Sequence, residues 1–425
     1  MRRRAFREIP PTAGLPLRAA DLLPRRGALP ETLAAQLGTP PLLLTCSGTA
    51  ALLVALRTLG ERAPHRRVVV VPAYTCPLVA IAVRSLGLHL RLCDSRPGHF
   101  DMDPAALARA CRADTLAVVP THLAGLVADV DMARTIAHQA GAWVIEDAAQ
   151  ALGARDRGYS VGLRGDIGFF SLAAGKGLSI HEGGLLTARD PSLRAALRRT
   201  HDTLAPRGGW WEWRRSVELL GLAALYRPGG LALAYGRPLR RKLRQGDPVA
   251  AVGDRFDPLI PLHRVGRWRQ GVGTRAAARW PAFLAERRAL ASRRVARLQQ
   301  IDGLDVITPG VGTEGSWPFL LLRLPDEACR DAVLARLWTA GVGVSRLFVH
   351  ALPDYAYLAD RVPQEPMPNA RDFAQCTLTL SNSPWLDDAT FEDVALVIGQ
   401  VLAGAHSRRG ECDEWRTAEE HAPSP

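Results

Sequence analysis

The sequence predicts an α/β fold, with a large domain built on a mostly parallel sheet and a smaller C-terminal α+β domain. The first observation is composition: 47% of the 425 residues are hydrophobic and 23% are charged, which is typical of a folded chain of two or three domains. The second is the alternation of β-branched runs with helical patterns over residues 42–190, which indicates parallel strands joined by helices. The third is a mixed order of strands and helices after residue 300.

The periodicity of apolar residues defines the elements of the large domain. Four β-branched runs predict strands: VVVVP at 68–72, LAVVPTH at 116–122, AWVIED at 142–147 and IGFFSL at 167–172. Helical spacing predicts the elements between them, at 47–59, 78–86, 104–112 and 130–140. Because ligands bind at the carboxyl ends of the strands in such sheets, the residues that follow the strands are candidates for a site.

The predicted organisation has four parts: an N-terminal extension at 1–30, a large domain at 31–280, a small domain at 281–405 and a disordered tail at 406–425. An insertion at about 200–275 interrupts the large domain with a tryptophan cluster, an apolar stretch and a basic run. In the small domain a basic amphipathic helix at 281–300 precedes the remaining elements. These are strands at 317–324, 342–348 and 377–381, and helices at 326–340 and 390–402.

The basic residues are almost all arginine. The net charge is +12, and only Lys176 and Lys242 are lysines among 54 basic residues. Arginine replaces lysine at solvated positions but cannot form a Schiff base, so a retained lysine is a candidate for amine chemistry. Lys242 lies in the basic run RRKLR, whereas Lys176 lies between glycines just after a predicted strand. The arginines are scattered and no zinc-finger or RNA-binding motif is present, so we expect no nucleic-acid partner.

The seven cysteines are an odd number without a C-x-x-C pair, which indicates free thiols in a reducing compartment and no metal site. The basic N-terminus is followed by prolines and charges, which is unlike a signal peptide. No run reaches about 18 apolar residues. These features predict a cytoplasmic protein.

Three further groups surround Lys176 in the predicted fold. Asp147 ends a strand of the sheet. If the cofactor is pyridoxal phosphate, this anion could keep the nitrogen of its pyridine ring protonated. The turn Ser47-Gly48-Thr49 starts a helix, where free N–H groups attract phosphate, and the hydroxyl of Ser171 could join it. Each group also has an ordinary interpretation, Ser47 as a helix N-cap and the other two as polar residues at strand ends.

Taken together these blocks resemble the DegT/DnrJ/EryC1/StrS family of aminotransferases, which are fold type I enzymes that depend on pyridoxal 5'-phosphate (PLP). The resemblance covers most of residues 40–195 and resumes more loosely toward the C-terminus. The blocks, in order, are SGTAAL, VPAYTC, a strand that ends at Asp94, PTHLAG with VADVD, VIEDAAQALGA, S-x-x-x-x-K-x-x-x-x-x-E-G-G, and LTLSNSPWLDDATFEDV at 378–394.

The resemblance implies roles for individual residues. Lys176 is the Schiff-base lysine and proton carrier, and Asp147 is the partner of the pyridine nitrogen. The other cofactor contacts that it implies are Gln150 at the ring hydroxyl and Gly48, Thr49 and Ser171 at the phosphate. The usual ring-stacking aromatic residue is replaced by Cys76, so Tyr74 is expected to stack in its place. His122 and Glu182 also match frequent family positions.

The resemblance further implies a homodimer that moves an amino group from an amino acid, expected to be glutamate, to a keto-sugar linked to a nucleotide. Such reactions serve amino-sugar, polysaccharide or secondary-metabolite biosynthesis. One family block is missing, because many members carry an Asn-x-Arg block after the lysine loop and this chain has only Asn369 and Asn382. The insertion stands in its place, so an unusual substrate is expected.

Two interpretations of the insertion remain open. In the first, which we favour from the sequence, it packs over the active site or across a dimer interface. In the second, residues 210–245 rest on a membrane, because tryptophans beside basic residues suit a lipid interface. A protein of the second kind would be peripheral to the membrane and act on a lipid-linked acceptor, or would be a noncatalytic module with the same fold.

Overall fold

The computed structural model describes residues 7–24 and 27–420, with side chains described up to residue 405. The described part of the chain begins with an irregular segment, residues 7–18, and one turn of 3-10 helix, Ala19–Leu22. We call residues 7–22 the N-terminal strap, because they cross the surface of the body before the first helix.

Seven strands form the central sheet, in the order β1-β9-β8-β5-β4-β2-β3. All pairs from β8 to β3 are parallel, whereas β9 is antiparallel to both of its neighbours. Two short strands, β6 and β7, lie outside it. The bounds are β1 (Leu43–Thr45), β2 (Val68–Pro72), β3 (His89–Cys93), β4 (Thr115–Val118), β5 (Trp143–Asp147), β6 (Arg155–Asp156), β7 (Tyr159–Ser160), β8 (Ile167–Ser171) and β9 (Gly184–Ala188).

Helices connect these strands and cover both faces of the sheet. Burial on both faces explains why β2, β4 and β8 are buried throughout and read as continuous apolar runs in the sequence. The helices are α1 (Leu29–Leu37), α2 (Gly48–Arg62), α3 (Pro77–Ser85), α4 (Pro104–Ala110), α5 (Val130–Gln139) and α6 (Pro191–Leu204).

The insertion is helical. Its elements are α7 (Gly209–Leu225), α8 (Pro228–Leu231), a π-helical turn (Ala232–Gly236), α9 (Arg237–Arg244), α10 (Pro248–Val252) and α11 (Arg267–Ala277). Among the described residues no single helix is long and apolar enough to cross a membrane. The pair Gly209–Leu225 and Pro228–Arg244 meets that criterion together by length and composition, but it is bent by 114°.

The small domain packs helices against a four-stranded antiparallel sheet in the order β10-β12-β14-β13. Another short strand, β11, joins β6 and β7 of the large domain in a separate three-stranded sheet. The elements are α12 (Trp280–Leu298), β10 (Asp305–Val306), β11 (Thr313–Glu314), β12 (Phe319–Arg323), α13 (Glu327–Leu337), β13 (Val344–Ser345), α14 (Pro368–Cys376), β14 (Thr377–Ser381) and α15 (Asp388–Glu420).

The predicted α/β class is confirmed, and the four strands predicted in the large domain exist within a few residues of their expected ends. The strand that the family resemblance implies before Asp94 is present as β3, whereas two further strands of the central sheet, β1 and β9, were not predicted. The last helix continues to Glu420, so the tail predicted to be disordered from residue 406 is helical up to that point. Residues 421–425 lie outside the described residues.

Candidate active site

Lys176 lies in the loop that joins β8 to β9, and we call residues 172–183 the lysine loop. Gly175 has a φ of +80°, and a Cβ there would approach Thr12 Oγ1 of the strap to 2.5 Å, so only glycine fits. The strap continues along the loop, where the Leu15 N–H donates to the Gly177 carbonyl oxygen at 2.9 Å. The backbone around Lys176 is therefore held from outside as well as by its own turn.

Asp147 ends β5, the strand beside β8, and its side chain is almost fully buried. One carboxylate oxygen accepts the Ala149 N–H at 3.0 Å. Burial raises the pKa of Asp147, while the Ala149 N–H and the charges of Lys176 and His122 act in the opposite direction. Its carboxyl group is thus buried and close enough to Lys176 for the two charges to interact.

Burial favours the neutral form of Lys176, as it does for Asp147. Burial lowers the pKa of Lys176, and Cys76 and Asp147 partly oppose that effect. A lower pKa increases the fraction of neutral amine near neutral pH, which is the form that attacks a carbonyl. The geometry and the charges together make Lys176 a suitable amine nucleophile.

The turn at the start of α2 lies against the end of β8. Ser47 caps the helix by accepting the Ala50 N–H at 3.0 Å. A Cβ on Gly48 would lie 3.2 Å from the Cβ of Ser171, so the two residues are in close contact. The N–H groups of Gly48 and Thr49 are in the first turn and have no acceptor within the helix. The arrangement suits a phosphate group held by backbone N–H groups and a serine hydroxyl.

Gln150 lies on the other side of Lys176. The two side chains line the same narrow cleft, together with Ala13 of the strap, Trp280 at the start of α12 and Ser316. The Gln150 Oε1 accepts the Ala124 N–H at 3.0 Å, which fixes the amide. The structure therefore brings Lys176 close to Asp147 and to Gln150, and brings Gly48 and Ser171 together at the end of the same strand.

Tyr74 does not reach this cleft. Its ring is fully buried against Phe348 and Phe373, with centroid distances of 5.6 and 5.3 Å, and its hydroxyl donates to the Phe348 carbonyl oxygen at 3.2 Å. The ring has no free face for a cofactor, so the structure gives no support to the stacking role expected for Tyr74. Cys76 is the residue of this segment that is close enough to Lys176 and Asp147 to interact with their charges.

His122 and Glu146 form a buried pair behind the site. The Ala128 N–H donates to His122 Nδ1 at 2.9 Å, so Nε2 carries the proton and donates to Glu146 at 3.1 Å. Glu146 also accepts the N–H groups of Gly162 and Gly165. His122 is therefore a support of the sheet edge whose tautomer is fixed by the backbone.

Sequence reasoning missed the contacts of the insertion with the lysine loop. Arg269 of α11 is fully buried and forms two bonds to Glu212 of α7, at 2.9 and 2.6 Å. The same guanidinium donates to the backbone carbonyl oxygens of Ile180 and Glu182. The Glu182 side chain pairs with Arg215 at 2.6 Å. No sequence pattern singles out Arg269 among the many arginines, so only the fold reveals this network.

A second missed cluster joins the insertion to the small domain. Asp254 is buried, and one of its carboxylate oxygens accepts the Tyr355 hydroxyl at 2.7 Å and the Val349 N–H at 2.9 Å. Its backbone oxygen accepts the hydroxyl of Tyr357. Burial raises the pKa of Asp254 to about 6, against its usual value of 3.8. The cluster lies near Cys76, because burial raises the pKa of the Cys76 thiol and the charge of Asp254 raises it further.

The two asparagines of the chain, Asn369 and Asn382, both form hydrogen bonds to the backbone of the same chain. Asn369 donates to the Ser95 carbonyl oxygen at 2.8 Å. Asn382 is fully buried and donates to the carbonyl oxygens of Arg287 and Trp317. Both side chains act as links between backbone segments.

Comparison with known proteins decides the family. The model of the DegT/DnrJ/EryC1/StrS aminotransferase family matches residues 24–219 and 271–399. The chain belongs to this family. The unmatched stretch between the two segments covers most of the insertion, which explains why no family block could be found there.

Individual relatives cover smaller parts of the chain. Protein MosB of Rhizobium meliloti is 41% identical over 152 residues, which are 36% of this chain and 30% of that protein. A Streptomyces kanamyceticus protein named "Putative L-glutamine:3-amino-2,3-dideoxy-scyllo-inosose aminotransferase" is 37% identical over 166 residues, 39% of each chain. The chain thus spans less than two fifths of the length of the curated relatives that it matches.

The fold extends over nearly the whole chain. The structure of Spr1654 from Streptococcus pneumoniae in its PLP form has a TM-score of 0.70 and 20% sequence identity, over 93% of this chain and 99% of that chain. PLP is the cofactor of the family. The residues present fit it: an amine of lowered pKa, a buried carboxylate beside it, and a helix start with a serine in contact.

Proposed function

We propose that this protein transfers an amino group from an amino acid of the glutamate type, glutamate or its amide glutamine, to the ketone carbon of a sugar-like ring. In the balanced reaction the donor leaves as its 2-oxo acid and the ketone becomes an amine. The single observation that carries the proposal is the neighbourhood of Lys176 and Asp147 at one edge of the sheet, beside the phosphate-binding turn.

Bound PLP would supply an electron sink, and the residues of this chain would bind the cofactor, orient it and move the proton. Lys176 Nζ would hold the cofactor and would carry a proton to and from the donor α-carbon. Asp147 provides the anion against the ring nitrogen. Gly48, Thr49 and Ser171 hold the phosphate, and Gln150 contacts the ring hydroxyl. The strap at Ala13–Leu15 covers the lysine loop and limits the access of water.

Two observations support the substrate class. The similarity to the Streptomyces protein favours a glutamine or glutamate donor and a polyhydroxylated ketone. The basic surface suits an acceptor that carries a diphosphate, so we propose a nucleotide-linked keto-sugar in amino-sugar or polysaccharide biosynthesis. We further propose a homodimer, because members of the family are homodimers whose sites lie near the subunit interface.

The test is the visible absorption spectrum of the purified protein with PLP, before and after addition of glutamate or glutamine. We expect a band at about 410–430 nm that depends on Lys176 and is replaced by absorption at shorter wavelength when the donor reacts. Lys176→Ala removes the band. Lys242→Ala is the matched control, because Lys242 is the other lysine of the chain and lies exposed in α9.

The outcomes separate the parts of the proposal. A band that depends on Lys176 but responds to neither donor would overturn the donor assignment while the cofactor site stands. A spectrum that is the same in wild type and in Lys176→Ala would overturn the catalytic role of Lys176 altogether.

A further inference from the structure

One side of α7 exposes a continuous apolar row to solvent. Trp210, Trp213, Val217 and Leu220 are 67, 58, 48 and 47% exposed, and their spacing of three and four residues places them on one face of the helix. The two tryptophan rings stack with centroids 5.2 Å apart. We call these four residues the tryptophan face. Large apolar side chains grouped in this way on a surface mark a contact with something outside the molecule.

The opposite side of the helix pair is fixed to the body of the protein. Leu219, Leu231 and Leu239 are buried, and Glu212 is held by Arg269. The Tyr226 hydroxyl donates to the Thr12 carbonyl oxygen of the strap. The two halves of the pair are bent by 114° relative to each other. The pair is therefore a firmly packed amphipathic element.

The segment that bears the tryptophan face is strongly basic. Residues 207–244 contain nine basic and two acidic residues. Both acids are paired with arginine, Glu212 with Arg269 and Glu218 with Arg214 and Arg215. Seven basic residues are exposed, namely Arg207, Arg214, Arg227, Arg237, Arg241, Lys242 and Arg244. An occupant that covers this segment must accept apolar side chains and carry negative charge.

We propose that the helix pair of residues 209–244 docks on the surface of an anionic lipid bilayer. The two tryptophans and the aliphatic residues of the tryptophan face enter the interfacial region, and the arginines contact lipid phosphates. Charge complementarity favours this occupant over a second copy of the chain, because two copies would bring the same basic residues together. The proposal does not depend on the proposed reaction, since vesicle binding needs no substrate.

The experiment is flotation of the full-length protein with vesicles of phosphatidylcholine alone or with about 30% phosphatidylglycerol, at about 0.1 and 0.5 M salt. We expect binding to the anionic vesicles at low salt, and weak binding to the neutral ones. Substitution of Arg241, Lys242 and Arg244 by Gln should weaken binding by about 100-fold. The double variant Trp210→Ser, Trp213→Ser should weaken it by about tenfold or more.

Matched controls carry the same changes elsewhere on the surface. Val311→Ser with Leu396→Ser removes two exposed apolar side chains, and Gln at Arg109, Arg293 and Arg336 removes three exposed charges. We expect both controls to bind like the wild type. Circular dichroism and the PLP absorption band confirm that each variant is folded.

Two results would overturn the proposal. One is equal binding of the wild type and both test variants, which would mean that this surface does not contact lipid. The other is an absence of binding of the wild type to the anionic vesicles. Light scattering would then show whether the tryptophan variant has a lower molar mass than the wild type. A lower molar mass of the variant would mean that the tryptophan face is a contact between copies of the chain.

Discussion

The guanidinium of Arg269 pairs with both carboxylate oxygens of Glu212, and it also donates to the backbone of the lysine loop. The insertion is thereby connected to the loop that bears Lys176. A buried ion pair that loses one partner leaves an uncompensated charge, so each residue of this pair is sensitive to substitution.

Arg269→Ala should lower the free energy of unfolding by about 3 kcal/mol, because Glu212 and two carbonyl oxygens lose their donor in a buried setting. Urea denaturation measures the change. Arg297→Ala is the control, because Arg297 forms a comparable pair with Glu392 that is partly exposed to solvent. It should cost less than about 1 kcal/mol. Equal losses in the two variants would contradict the burial argument.

Gly48→Ala should weaken PLP binding roughly tenfold, since the new methyl group meets Ser171 at 3.2 Å and overpacking costs about 1 to 3 kcal/mol. Titration with PLP, followed by absorbance, measures the effect. Gly60→Ala provides the control in the same helix, because nothing lies within 4 Å of its added Cβ. If Gly48→Ala binds PLP like Gly60→Ala, the turn does not hold the phosphate.

The pKa of Lys176 should be visible in chemical labelling of the cofactor-free protein. Because burial lowers this pKa, amine labelling followed against pH should have its midpoint below the usual 10.5. Asp147→Asn removes a charge that raises the pKa and should move the midpoint further down. Mass spectrometry distinguishes the labelling of Lys176 from that of Lys242. Lys242 is the control, because its labelling measures the reactivity of the reagent toward an exposed lysine. A midpoint at or above 10.5 contradicts the described environment.

Asp254 should make the stability of the protein depend on pH. Its pKa is raised from 3.8 to about 6 by burial, so the folded state binds a proton more tightly than the unfolded state. The contribution of Asp254 to the free energy of unfolding is therefore largest below about pH 4 and is lost as the pH rises through about 6. The difference amounts to about 3 kcal/mol.

Asp254→Asn tests that effect, because an amide oxygen can still accept the bonds from Tyr355 and Val349 but cannot ionise. We expect the difference in unfolding free energy between the variant and the wild type to grow in favour of the variant between pH 4 and 7. Asp114→Asn is the control: the side-chain bond from Arg91 lowers the pKa of Asp114, so its effect has the opposite sign. A pH-independent difference for Asp254→Asn would contradict the raised pKa.

Tyr226→Phe should loosen the N-terminal strap without removing a packed ring. The hydroxyl of Tyr226 accepts the Gly14 N–H and donates to the Thr12 carbonyl oxygen, both at 3.0 Å. Limited proteolysis should cut the strap of the variant faster than that of the wild type. Tyr159→Phe is the control, because Tyr159 is 62% exposed and distant in sequence from the strap. Equal cutting rates would mean that the two bonds do not hold the strap.

The parts of the site that follow a strand were predictable from the sequence. Asp147 and Lys176 stand at strand ends that apolar runs define, and Gly48 starts a helix with an evident cap. The side-chain direction of Tyr74 was not predictable, because its packing against Phe348 depends on contacts 274 residues away in the chain. Arg269 and Asp254 were missed for the same reason, since only the folded chain brings them to their partners.

The contacts of the strap also set an order on the folding of the nascent chain. The Ile9 N–H donates to the Gly341 carbonyl oxygen, and the Ala13 N–H to that of Pro318. Since synthesis proceeds from the N-terminus, these acceptors leave the ribosome more than 300 residues after their donors. These two contacts can therefore form only after the small domain has been synthesised. Complete docking of the strap is consequently a late step in maturation.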